Sequence, residues 1–182
     1  KYTALPAEIK TNVVVVGGGG SGLASAIAAQ QAGAKVIVLE KLGILGGSTN
    51  VSEGALNAAD PQRQGKQGIE DSIQKHYEQT MKGGHNIGNP ELVHYLTDHA
   101  LESVHWLESI GVKFKDEVGT ATGALWQRSH YPATPSGNTY IRSFEKYIAA
   151  HGNDMKVYTD MDAVSLIQDK AGRVIGVIAK DN

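Results

Sequence analysis

Apolar positions change their period several times along the chain, and each change marks an element. Val13-Val14-Val15-Val16 is an unbroken β-branched run entering a glycine cluster. Continuous apolarity of this kind predicts a central parallel strand covered on both faces. Ser21 to Ala32 is small and helix-forming, with Leu23, Ile27 and several alanines on a close-packing face. Gly33 is placed to end that helix as a left-handed cap. Val36-Ile37-Val38-Leu39 reads as a second buried strand, which makes a βαβ unit with a right-handed crossover. Residues 42–60 are rich in Gly, Ser, Asn and Ala and read as a loop whose backbone approaches something closely, followed by a polar turn at Asp60-Pro61.

Helical spacing returns at Ile69, Ile73, Tyr77 and Met81 and stops at Gly83-Gly84. Asn89 and Pro90 suit the N-cap and first position of the next helix, and Gly111 ends it. Its apolar stripe is Val93, Leu96, Ala100, Val104 and Leu107, with Trp106 expected in the core beside it. Residues 119–138 are irregular and include Trp126, whose place the pattern does not set. Tyr140 to Ala150 is helical, Lys156 to Tyr158 and Val164 to Gln168 are strands, and a turn at 169–172 leads to a return strand from Arg173 to Ala179. The fold class expected is α/β: a Rossmann-like dinucleotide-binding βαβ core with added helices and a C-terminal β-hairpin, behind a linker over residues 1–11.

Composition narrows the function classes. The chain has 182 residues, 41% hydrophobic and 20% charged, enough to bury a core. A net charge of -2 argues against a nucleic-acid binder. No apolar run reaches the length of a membrane span. The absence of cysteine removes disulfides, thiolate catalysis and Cys-based metal sites, and leaves both periplasm and cytoplasm open. His76, His94, His99, His105, His130 and His151 form no i, i+4 pair, so they read as surface or packing residues and no metal is expected. The chain begins at Lys1 and stops just after a strand at Asn182, as a piece of a longer polypeptide would. Residues 1–182 alone are expected to hold any ligand weakly and to associate through unpaired strand edges.

The chemistry sits in the glycines. Gly17, Gly19 and Gly22 form G-x-G-x-x-G between a strand and a helix, with Gly20 and Ser21 inside it. The first glycine allows the turn, the second lets backbone approach a pyrophosphate, and the third seats the helix on the strand. Amides at a helix N-terminus then hold the phosphates. Glu40 closes the second strand about twenty residues on, where a carboxylate accepts from the ribose hydroxyls and repels a 2′-phosphate. Gly46-Gly47-Ser48-Thr49 and Gly54-Ala55-Leu56-Asn57 add a second small-residue segment. An extended flavin dinucleotide needs such a segment, so FAD is the cofactor expected.

These motifs resemble the fumarate reductase/succinate dehydrogenase flavoprotein family. The match runs from the Val13–Gly22 opening through Glu40-Lys41, Gly46–Thr49 and Gly54–Ala59 to Thr80-Met81-Lys82-Gly83-Gly84-His85-Asn86-Ile87 and Pro90–Val93. The nearest branch is the soluble one of flavocytochrome c fumarate reductases and urocanate reductases. Ser48 stands where that branch commonly has Asn, Glu53 replaces a small residue, and Tyr131 replaces the arginine of a His-Arg-Pro segment. The resemblance implies that Lys41 joins Glu40 at the cofactor and that Ala163 presents its backbone to the adenine. It further implies an FAD-dependent reductase acting on the C=C bond of a small unsaturated acid. Residues 12–182 are then the N-terminal portion of the FAD-binding domain, without its cap domain and C-terminal closing segment. The acid and the catalytic residues belong to downstream parts of the polypeptide, so no catalytic residue is assigned here. Other flavin oxidoreductases of the same fold, of amino-acid oxidase or ketosteroid dehydrogenase type, remain alternatives, as does a flavin-free packing module.

Overall fold

A computed structural model describes residues 8–134 and 136–182, so residues 1–7 of the expected linker lie outside the described residues. The chain divides into two compact units, residues up to 50 with 144–182, and residues 51–143.

In the first unit, β1 (Val13–Val16), α1 (Gly20–Gln31) and β2 (Val36–Leu39) form the expected βαβ unit, with Val13 to Val16 paired in parallel to Val36 to Leu39. β5 (Met155–Tyr158) pairs in parallel with the other side of β2, so the sheet order is β1-β2-β5. The central strand is therefore β2, all four residues of which are buried. β1 flanks it, and its Val16 is 57% exposed. That corrects the central place expected for β1. Continuous apolarity reports on faces covered, whereas strand order depends on partners far along the chain.

Leu23, Ala26 and Ile27 of α1 are fully buried. Alternation along the strands puts Val15 and Val38 on one face, and Gly22 of α1 sits against Val15 there. Ile37 and Leu39 point the other way and pack with Met161, Ala163, Val177 and Ala179 of a hairpin. That hairpin is β6 (Met161–Gln168) and β7 (Val174–Asp181), antiparallel with a bulge at Val164. Its turn is made by Asp169, whose carboxylate accepts from the Ala171 and Arg173 amides, and by Gly172 at φ 80°. Helix α1 ends in a Schellman pattern: Gly33 at φ 88°, its amide donating to Gln30 and the Ala34 amide to Ala29.

The second unit contains β3 (Leu56–Asn57), α3 (Pro61–Lys66), α4 (Ile73–Gly83), α5 (Pro90–Ser109) and β4 (Ser129–His130). Helix α6 (Asn138–Ala150) spans the boundary, and α2 (Gly47–Asn50) belongs to the first unit. The expected loop over 42–60 thus carries a helical turn and a short strand. Asp60-Pro61 is the N-cap and first position of α3 and not merely a turn: Asp60 accepts from the Gln62 and Arg63 amides at 3.0 Å. Ile69 lies before α4, which Ser72 caps. Helix α5 is capped by Asn89 as expected, but its buried face is Thr97, Ala100, Val104 and Leu107, while Leu96 is 58% exposed. Trp106 is only half-buried.

Charged and polar groups brace this unit from inside. Asp60 receives the Arg63 guanidinium and the His130 Nε2, both at 3.1 Å. Arg128 donates from Nε and Nη2 to the two oxygens of Asp71 at 2.7 and 2.6 Å. Buried charges persist only when paired in this way. Burial alone raises the Asp60 carboxyl, but bonds from the Arg63 amide, His130 and the Arg63 side chain bring it down to about 2.

Candidate functional site

The site is built on the turn between β1 and α1. Gly17 takes φ 102°, a conformation open to glycine, and its amide donates to the Leu39 carbonyl at 2.8 Å. Gly22 lies so close to the Gly17 carbonyl oxygen that a methyl group there overlaps it. This is the helix-seating role expected of the third glycine. Gly18 is covered by Leu45 and Glu40, and Gly20 by Thr49: an added Cβ meets Leu45 Cδ2 and Thr49 Oγ1 at 2.5 Å each. Gly19 differs from all of these. Its φ of −78° suits any residue, and the nearest atom to an added Cβ is the Gly46 oxygen at 3.9 Å. Nothing among the described residues demands glycine at position 19.

Helix α1 starts at this point with Gly19 as its N-cap, no side-chain cap and no acid in its first turn. Its leading amides therefore carry a partial positive charge that no side chain of the helix answers. An anionic group of a ligand is the complementary partner. Helix α2 and its approach line the same place: the Gly46 amide donates to the Gly18 carbonyl at 2.8 Å, and Gly19 bridges Gly46. Gly46 at φ 110° and Gly47 at φ 48° make that close approach possible. Ser48 is exposed on α2, Thr49 half-buried, and Ser21 exposed in the first turn of α1.

Glu40 is only 8% exposed, and both its oxygens bind backbone: Oε2 accepts from Gly18 at 2.7 Å and Oε1 from Leu42 at 2.8 Å. Each carboxylate oxygen accepts more than one bond, so capacity for ribose hydroxyls remains. The residue thus fixes the glycine turn as well as offering acceptors beside it. Lys41 is exposed next to it. Ala163 lies in β6 opposite Ala179, at the edge of the bulge and half-buried against the Ile37–Leu39 cluster.

Gly54, Ala55, Leu56 and Asn57 belong to the second unit. Gly54 takes φ 83°, and an added Cβ there falls 2.7 Å from the Gly137 amide nitrogen. The buried Tyr140 hydroxyl donates to the Gly54 carbonyl at 2.6 Å, and burial pushes its phenol well above its usual range. Leu56 pairs with His130 and Asn57 with Ser129, whose hydroxyl donates to Asn57 Oδ1 at 2.6 Å. Tyr140, Ser129 and Leu45 are supports that sequence reasoning missed. Tyr140 lies 86 residues from Gly54, and no local spacing announces that bond. The Arg128–Pro132 segment, in which Tyr131 stands in place of the arginine, commits Arg128 and His130 to Asp71 and Asp60 inside the unit.

Trp126, which the sequence left unplaced, donates from Nε1 to the Glu70 carbonyl at 3.1 Å and lies under Lys75. His94 stacks on Tyr77, His151 on Tyr147, and His99 pairs with Glu102. Among the described residues no group of three or more His, Asp or Glu is placed to hold a metal ion. No helix among them is long and apolar enough to cross a membrane.

Comparison with known proteins agrees with this geometry. A family model described as FAD binding domain matches residues 12–182. A fumarate reductase (cytochrome) of Shewanella frigidimarina is 36% identical over 93% of this chain and 29% of its own length. A urocanate reductase of Eggerthella lenta is 37% identical over 92% of this chain and 28% of its own. The open conformation of a flavocytochrome c3 fumarate reductase superposes with a TM-score of 0.87 at 31% identity, over 94% of this chain and 30% of that one. The chain spans less than a third of the length of each of these relatives.

Proposed function

Because this chain belongs to the FAD binding domain family, we propose that it holds the ADP half of FAD in a reductase acting on the C=C bond of a small unsaturated acid. Fumarate-like and urocanate-like acids are the substrates favoured, since relatives with those names match more than nine-tenths of this chain. The diphosphate lies against the amides of Gly19, Gly20, Ser21 and Gly22, and Gly17 sets the turn beneath it. Glu40 takes the adenosine ribose, with Lys41 beside it, and Ala163 offers backbone to the adenine. Gly46, Gly47, Ser48 and Thr49 follow the diphosphate, and Gly54, Ala55, Leu56 and Asn57 the flavin ring. The observation that carries the cofactor reading is the open Gly19, a glycine with room for a side chain in the folded protein.

Bound FAD supplies the two-electron redox chemistry. Substrate-binding and proton-donating groups come from the rest of the same polypeptide, which contributes a cap domain and the segment that closes over the flavin. Residues 12–182 are the N-terminal portion of that FAD-binding domain. The whole protein should oxidise a reduced dye when offered fumarate or urocanate, and not when offered a ketosteroid. Activity on the ketosteroid alone, or on no unsaturated acid, overturns this substrate assignment.

A further inference from the structure

Asn57 closes β3 as an exposed residue, yet its side chain is held from beneath by a buried hydroxyl. Ser129 has no exposed surface, and its Oγ lies 2.6 Å from Asn57 Oδ1. The same Oγ accepts from the Ala121 amide at 2.9 Å. A serine hydroxyl carries one proton, and among the described residues Asn57 Oδ1 is the atom that accepts it. Turning the Asn57 amide over sets its NH₂ against this hydroxyl and leaves a buried O–H with no acceptor, which is costly. The 2.6 Å separation also suits O–H···O rather than N–H···O. Oδ1 therefore points to Ser129, and Nδ2 points away from it. Among the described residues none accepts a hydrogen bond from Nδ2.

The base under this amide is rigid. Ser129 and Gly119 exchange two backbone hydrogen bonds at 2.9 Å. Asn57 pairs with Ser129 across β3 and β4, and the Ala58 amide donates to the Arg128 carbonyl at 3.1 Å. On either side of Ser129, Arg128 and His130 are tied to Asp71 and Asp60. An exposed asparagine ordinarily turns among rotamers and loses that freedom when it binds. Here the direction of the donor is set in advance, which is the condition for a hydrogen bond that acts on a redox centre without reorganising.

We propose that Asn57 donates a hydrogen bond from Nδ2 to a ring carbonyl of the flavin, and that Ser129 is the positioning residue that aims it. The inference rests on the reading that Gly54, Ala55, Leu56 and Asn57 follow the flavin ring. A ring carbonyl accepts in both redox states, whereas the ring N5 changes from acceptor to donor on reduction. Two-electron reduction enriches the carbonyls in electrons, so a fixed donor stabilises the reduced flavin more than the oxidised one. Asn57 thereby raises the midpoint potential.

Dye-equilibration titration of the whole flavin-loaded protein reads that potential directly, with thermal unfolding as a check on the fold. Asn57→Ala should change the ratio of affinities for reduced and oxidised flavin at least tenfold against the reduced form, a fall of about 30 mV for a two-electron couple. Asn57→Asp keeps the shape, replaces the donor with an anionic acceptor and should lower the potential further; it also decides the matter if Asn57→Ala fails to fold. Ser129→Ala, which frees the amide to turn, should lower the potential by part of the Asn57→Ala shift. Potentials of the Asn57 variants equal to or above the parent's overturn the proposal. A Ser129→Ala potential equal to the parent's beside a lowered Asn57→Ala overturns the positioning role. A whole protein that holds no FAD overturns the proposed function and this inference together, whereas bound FAD whose potential ignores Asn57 overturns this inference alone.

Discussion

Replacing Gly19 with alanine separates folding from cofactor binding. The backbone at Gly19 has φ −78°, which alanine adopts freely, and the added methyl meets nothing nearer than the Gly46 oxygen at 3.9 Å. Alanine restricts the unfolded chain, a gain of about 0.4–1 kcal/mol, and is the poorer N-cap, a loss of similar size. The apoprotein should therefore keep its stability to within about 1 kcal/mol. Cofactor binding should respond quite differently. In the proposed placement of the diphosphate, the methyl projects where a phosphate oxygen comes within hydrogen-bond distance of the helix amides. Losing one charge-assisted bond costs about 1.5–3 kcal/mol, roughly a 10- to 150-fold weaker Kd. Gly22→Ala is the contrast: its methyl overlaps the Gly17 carbonyl, so the fold itself should lose about 1–3 kcal/mol. Thermal unfolding of the apoproteins and FAD titration by flavin fluorescence give the two readouts. If Gly19→Ala binds FAD as tightly as the parent, the turn does not cradle the diphosphate and the reasoning fails.

Three further outcomes follow from the same structure. Glu40→Gln leaves one acceptor oxygen where two serve the Gly18 and Leu42 amides and sets an NH₂ against an N–H, so FAD affinity should fall by about 1–2 kcal/mol; unchanged affinity by titration contradicts the role. Tyr140→Phe strands the buried Gly54 carbonyl and should cost about 1–3 kcal/mol in urea denaturation, with no loss counting against the bond. Stability should also fall with acid in two windows. Unfolded His76 protonates near 6.5 but the folded residue only near 4, so its contribution is complete above pH 6.5 and declines down to about 4. The Asp60 contribution, present above 3.8, is lost as pH falls towards about 2. His76→Phe should flatten the upper window alone in denaturation midpoints measured against pH.

Residues that act through local spacing were legible in the sequence. Gly17 and Gly22 announce the turn because a tight bend and a helix contact each require a missing side chain. Asn89-Pro90 and Gly33 marked helix ends for equally local reasons. Asp60-Pro61 has the same N-cap grammar as Asn89-Pro90, and the short α3 was available to the same argument. What stayed hidden depends on distant partners. The flanking place of β1 follows from β5 pairing with β2 more than a hundred residues later. Tyr140 reaching Gly54 and Arg128 reaching Asp71 are likewise set by tertiary packing. The exposed Leu96 and buried Thr97 show how a stripe drawn by period alone turns by one residue once a helix finds its neighbours.

The position of the diphosphate in an experimental structure of the FAD-loaded protein tests the central claim most directly. Its oxygens should lie about 2.7–3.2 Å from amide nitrogens between Gly19 and Gly22, with a ribose hydroxyl on the Glu40 carboxylate. A diphosphate bound away from the Gly17–Gly22 turn, or a ribose out of reach of Glu40, contradicts the account.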